Sequence, residues 1–136
     1  MRSIALPVMI GLGALASCTT APPPMARSSE GQAQFERLTA GKVAGPPMQC
    51  LSSREMNDMV VIDESTVAYR RGAGTVYIGH MQGPCNGLGG DAAMVTRTFG
   101  PAESCRGDIV RMVNTASRMD VGSCLFGEFT PYTVPR

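Results

Sequence analysis

Four thiols, Cys50, Cys85, Cys105 and Cys124, one imidazole, His80, and the Arg106-Gly107-Asp108 tripeptide carry most of the chemical potential of this 136-residue chain. Thiols bridge or bind metal, and here no pair has Cys-x-x-Cys spacing and His80 has no second histidine, so disulfides are expected and a zinc cluster is not. A serine nucleophile needs a base, yet no serine lies in a nucleophile-elbow pattern and His80 falls on a predicted strand. Gly87-Leu88-Gly89-Gly90-Asp91 lacks the lysine of a phosphate loop and the spacing that opens a dinucleotide-binding helix. It reads as a turn. Asp58, Asp63 and Glu64 are carboxylates near one predicted sheet edge, but calcium takes roughly six to eight oxygens and no EF-hand spacing is present. Solvated turns explain them. Ten methionines raise Cu(I) binding, and the Met pairs of metal-binding tracts are missing, so core filling by flexible thioethers is the expectation. No catalytic residue, metal or cofactor is expected, and the chain does not read as an enzyme.

Asp108 follows Cys105 by three residues and precedes apolar Ile109 and Val110, where an unpaired buried charge is costly. It is expected to accept backbone N–H groups in the Cys105 turn or to pair with Arg106 or Arg111. Ligand binding by Asp108 and Arg106 is the alternative.

A fifth cysteine has a different context. Arg2 precedes an apolar run over residues 4–15, and Leu15-Ala16-Ser17-Cys18 then looks like a bacterial lipobox. The run is far shorter than the roughly 20 residues that span a bilayer. Residues 1–17 are read as a lipoprotein signal peptide and Cys18 as the lipidated first mature residue. Acyl chains contribute about 0.8 kcal/mol per buried CH₂, so two or three hold the protein at a membrane. Thr19, rather than the aspartate that retains lipoproteins in the inner membrane, favours the outer membrane facing the periplasm.

With Cys18 committed to lipid, four cysteines remain for an oxidising compartment, and two disulfides follow. Three pairings are open. The preferred one joins Cys85 to Cys105 and Cys50 to Cys124. Without Arg2 the mature chain is formally neutral, which disfavours nucleic acid as a partner because phosphate contacts need clustered lysine and arginine.

The elements that hold these residues begin with a tether. Residues 18–47 carry Pro22-Pro23-Pro24 and Gly45-Pro46-Pro47, which favour extended backbone. A short helix is predicted within it over 29–38, capped by Ser28 or Ser29, with Phe35 and Leu38 on one face. Residues 48–136 then read as a β domain, with strands predicted over 56–62, 66–71, 75–81, 93–99, 109–114 and 124–130. Asp63-Glu64-Ser65 and Gly72-Ala73-Gly74 are of hairpin length, so the first three strands should form a meander. Alternation puts Val67 and Tyr69 opposite Ala68 and Arg70, and groups Leu125 with Phe129 around Gly127. With no Trp, four Phe and three Tyr, the core is small and the disulfides compensate. The expected fold is mainly β: a small antiparallel barrel or curled sheet of about six strands, a short N-terminal helix and two disulfides.

Cys50-Leu51, Val61-Ile62-Asp63, Val76-Tyr77, Cys85-Asn86-Gly87-Leu88, Cys105-Arg106-Gly107-Asp108 and Cys124-Leu125-Phe126-Gly127-Glu128-Phe129, in this order, resemble a family of small exported proteobacterial domains of unknown function. Its members are often lipoproteins with a Cys, Cys-x-Gly-Leu, Cys-x-x-Asp and Cys-x-x-Gly-x-Phe pattern, and the resemblance covers residues 48–132. It implies disulfides and brings no activity.

The function expected is that of an envelope lipoprotein, membrane-bound through its lipid, serving as a non-catalytic structural or interaction module with an envelope protein partner. One alternative is an inhibitor of a secreted hydrolase such as lysozyme, using a loop at 83–92 or 101–107. Another is a small-ligand or metal-binding periplasmic module.

Overall fold

A computed structural model describes residues 27–97 and 102–136. Residues 1–17, read as a signal peptide, Cys18 and the proline run at 22–24 lie outside the described residues.

The expected meander is present: β3 (Met59–Asp63), β4 (Thr66–Arg71) and β5 (Thr75–Met81) pair antiparallel in sequence order. Asp63 closes the first turn by accepting from the Ser65 backbone N–H at 2.8 Å and hydroxyl at 2.9 Å, and Gly72 supplies the left-handed residue of the second with φ +60°. β5 then pairs with β9 (Asp120–Thr133), β9 with β8 (Ile109–Asn114), and β8 with β6 (Ala92–Thr96). The path β3-β4-β5-β9-β8-β6 curls into an antiparallel half-barrel. Its two edges are β3 and β6.

β9 is twice as long as the predicted strand because its two halves have different neighbours: residues 120–125 pair with β8, and residues 126–133 pair with β5. The register slips near the start of the second half, where Gly79 faces Phe129 but Met81 faces Phe126. Leu125 and Phe129 therefore do not share a face as the alternation suggests; Leu125 is exposed, and Phe126 packs against Phe129 inside with ring centroids 5.3 Å apart. Gly127 sits in this irregularity, where a Cβ would stand 2.7 Å from the His80 carbonyl oxygen. No larger residue fits without moving backbone.

Alternation sorts the meander into two packed faces. Val67, Tyr69, Tyr77 and Met81 enter the inner core with Val110, Met112, Phe126 and Phe129. Ala68, Val76 and Ile78 point outward with Ile62, and helix α1 (Ser29–Thr39) covers them with Phe35 and Leu38. Ser28 caps that helix by accepting from the Gly31 N–H at 3.1 Å. The second half of the segment read as a tether thus belongs to the fold, and β1 (Val43–Ala44) continues it by pairing with the end of β9. Both faces of β4 are buried.

Across the inner face lies a ribbon of two short strands, β2 (Cys50–Ser52) and β7 (Glu103–Cys105), which buries Leu51 and Ser104. Its register sets Cys50 opposite Cys105, and these two form a disulfide. The second joins Cys85 to Cys124. The preferred pairing of Cys85 with Cys105 and Cys50 with Cys124 is therefore corrected. That pairing would tie the first strand region directly to the last, whereas the β2–β7 ribbon sets Cys50 against Cys105 and the loop after β5 folds back onto β9, bringing Cys85 to Cys124.

Candidate functional site

A cleft bearing ionisable side chains opens at the start of α1, where β4 and β5 pair Thr66 with His80. It measures about 450 Å³ and is lined by Arg27, Gln32, Asp63, Ser65 and His80 among others. Histidine, serine and aspartate thus share a site that sequence spacing does not reveal, since only the strand register brings His80 to the Asp63 turn. Their hydrogen bonds do not form a relay. The Ser65 hydroxyl donates directly to Asp63 Oδ1, and Arg27 Nε donates to Asp63 Oδ2 at 3.2 Å. A serine nucleophile would donate to the imidazole and the imidazole to the carboxylate. Here His80 has no hydrogen bond to either.

The electrostatics agree with that geometry. Burial raises the Asp63 carboxyl, but the bonds from Ser65 and Thr66 and the nearby Arg27 charge outweigh it and leave the pKa below the usual aspartate value. His80 is lowered, first by desolvation and then by Arg27, with Asp63 opposing. The first two influences favour the neutral imidazole. Arg27 also lies 4.1 Å above the Phe35 ring, so the guanidinium fastens the helix start to the sheet.

The Cys105 turn places the other residues singled out from sequence. Asp108 Oδ2 accepts from the Cys105 backbone N–H at 2.8 Å, and the Asp108 N–H donates to the Cys105 carbonyl at 3.0 Å. Arg106 pairs with Glu128 at 3.0 Å, and Arg111 pairs with Asp120. Neither arginine reaches Asp108 within ion-pair distance among the described residues. Cys50, Cys105 and Glu103 bring three potential ligand atoms together, but both sulfurs are committed to the disulfide. Asp58, Asp63 and Glu64 do not gather: Asp58 holds Arg70 through two bonds of 2.8 and 3.1 Å, and Asp63 serves its own turn.

A second cleft, about 360 Å³, lies on the inner side of the sheet and is lined by Ser53, Met56, Met59, Tyr69, Met94, Thr96 and Ser104. The register sets Met59 on β3 directly across from Tyr69 on β4, while Met94 and Thr96 come from β6. Sequence reading assigned these methionines to core filling. Met81 and Met112 do fill the core, but Met56, Met59 and Met94 face this opening. Strand pairing across the barrel, rather than spacing along the chain, collects them.

Comparison with curated proteins gave no match, and comparison with solved structures gave none. A family model matches residues 1–134, a span that includes the cysteine elements and the N-terminal segment. The chain belongs to that family, described as a family of unknown function (DUF6491).

Proposed function

We propose that this chain is an envelope lipoprotein, held by acyl chains on Cys18 at the outer membrane facing the periplasm, and that it acts by contact with an envelope partner rather than by catalysis. The observation that carries the contact reading is the outer face of β6, β8 and β9. Helix α1 covers the outer face of the meander only, so Ile109 and its cross-strand partner Leu125 remain 53% and 37% exposed. Val95 stands on the same face opposite Arg111 and is exposed too. Single exposed apolar residues are ordinary, but three grouped on one sheet face suit a partner surface. The hydrogen bonding of Ser65 and Asp63 argues against a serine–histidine relay at the His80 cleft. The loop at 83–92 suits an inhibitor less well, because Cys85 is tied to Cys124 and Leu88 is buried.

Affinity capture from detergent-solubilised envelopes tests the surface. A recurring partner should be retained by the wild type and lost by the Ile109→Lys, Leu125→Lys double variant, whereas equal capture by both, or no recurring partner, overturns it. Cys18→Ala should move the protein from the membrane to the soluble fraction. Continued membrane retention defeats the anchor.

A further inference from the structure

A half-barrel has a seam where its two edge strands fail to meet, and here β3 and β6 leave one lined by the second cleft. Its walls are three thioethers, the Tyr69 ring and the hydroxyl residues Ser53, Thr96 and Ser104, with no charged side chain among the described residues. Tyr69 is 1% exposed, and its hydroxyl is the one buried side-chain polar atom among the described residues with no hydrogen-bond partner. Buried hydroxyls are nearly always paired, and an orphan costs about 1–3 kcal/mol. The neighbouring Tyr77 shows the ordinary arrangement, donating to Glu55 at 2.7 Å. Tyr69 has a donor in place and nothing to receive it.

We propose that the seam cleft binds a small uncharged molecule with a flat apolar body and one carbonyl or hydroxyl oxygen, the body lying against Met56, Met59 and Met94 and the oxygen accepting from the Tyr69 hydroxyl, which is closed to solvent in the unliganded chain and is reached as those flexible thioethers shift. The volume falls in the lower part of the range for small-ligand sites, roughly 300–1,000 Å³. Thioethers are polarisable and adapt to ring edges, which suits an aromatic or conjugated body. A charged ligand would enter without a counter-ion. Burial raises the Tyr69 pKa far above the usual tyrosine value, so the phenol keeps its proton and donates. This site lies inside the barrel and does not depend on the outer-face reading.

The test uses the oxidised full-length chain carrying Cys18→Ala, with methionine methyl groups ¹³C-labelled, titrated with 2-acetylnaphthalene and with its hydrocarbon analogue 2-isopropenylnaphthalene. Saturable shifts are expected at the Met56, Met59 and Met94 methyl groups and not at Met119. The ketone should bind about fivefold tighter than the hydrocarbon, the equivalent of one ordinary hydrogen bond. In Tyr69→Phe, which loses no protein hydrogen bond and should fold, the two probes should bind equally. Absent shifts, shifts spread over all methionines, or a ketone preference that survives in Tyr69→Phe overturn the proposal.

Discussion

Tyr77 donates its hydroxyl proton to Glu55 Oε1 at 2.7 Å, and Arg71 Nη1 donates to the same oxygen at 2.9 Å, so the turn after β2 is fastened to β4 and β5 through one carboxylate. Ser52 fills the other oxygen with its hydroxyl at 3.1 Å. The Tyr77 bond is the largest influence on Glu55, and with the Ser52 bonds and Arg71 it outweighs desolvation and holds the pKa below the ordinary 4.5. A carboxylate lowered in the folded state contributes stability that is complete above its unfolded value and lost as pH falls through the folded one. The urea midpoint should therefore drop on acidification below about pH 4.5. Tyr77→Phe should cost about 1–2 kcal/mol at pH 7 and make that drop shallower than in the wild type. An unchanged acid slope would place the sensitivity elsewhere, with Asp63 the next lowered carboxylate.

The two disulfides close segments of 55 and 39 residues, and chain-entropy arithmetic gives about 4 kcal/mol for each. That is comparable to the whole net stability of a small domain. Reduction should lower the melting temperature by at least about 10 °C. A non-reducing peptide map should recover Cys50 with Cys105 and Cys85 with Cys124. Recovery of Cys85 with Cys105 would contradict the β2–β7 register.

How far the sequence could be read depends on whether the signal was local. β4, β5 and β8 occupy the predicted spans because β-branched and aromatic residues run there between turn residues, and neither end needs tertiary support. Helix α1 is legible for the same reason, through Ser28 and the Phe35, Leu38 face. β2 and β7 have three residues each and carry no periodicity, so the cysteine pairing they impose was not readable. The full length of β9 was hidden by Pro131 and by the register slip at Gly127, both of which argue locally against a strand. The shared clefts of Ser65 with His80, and of Met59 with Met94, arise from cross-strand pairing and barrel curvature. Spacing along the chain does not encode either.

Where the folded unit begins is open to direct measurement. Phe35 and Leu38 pack on Ile62, Ala68, Val76 and Ile78, and Phe35 meets the Tyr132 ring edge-on at 5.8 Å. Full burial of such side chains contributes about 1.5–3 kcal/mol each, and these two are only partly buried, so their removal should cost about 2–4 kcal/mol together. A chain shortened to begin at Met48 should lose at least that much and bind a hydrophobic dye, whereas one beginning at Arg27 should match one beginning at Cys18. Equal stability of the Met48 chain would make α1 and β1 dispensable.

Gly31 tests how closely α1 lies on the sheet, because two opposed effects have different sizes. It is the buried residue of the helix, and a Cβ there would stand 2.8 Å from the Ile62 carbonyl oxygen and 3.2 Å from Ser28 Oγ. In an exposed helix, glycine to alanine would stabilise by up to about 1 kcal/mol through backbone entropy. Here the added methyl meets β3 backbone, which cannot swing aside as a flexible side chain would, and overpacking of this kind costs about 1–3 kcal/mol. The collision should prevail, so Gly31→Ala should lower the urea midpoint. The displaced helix start should also loosen Arg27 from Asp63, raising the Asp63 pKa by removing a nearby positive charge. Carboxyl-resolved NMR titration reads that second effect. A more stable Gly31→Ala protein with an unmoved Asp63 would mean that the helix rides farther from β3 than the 2.8 Å approach requires.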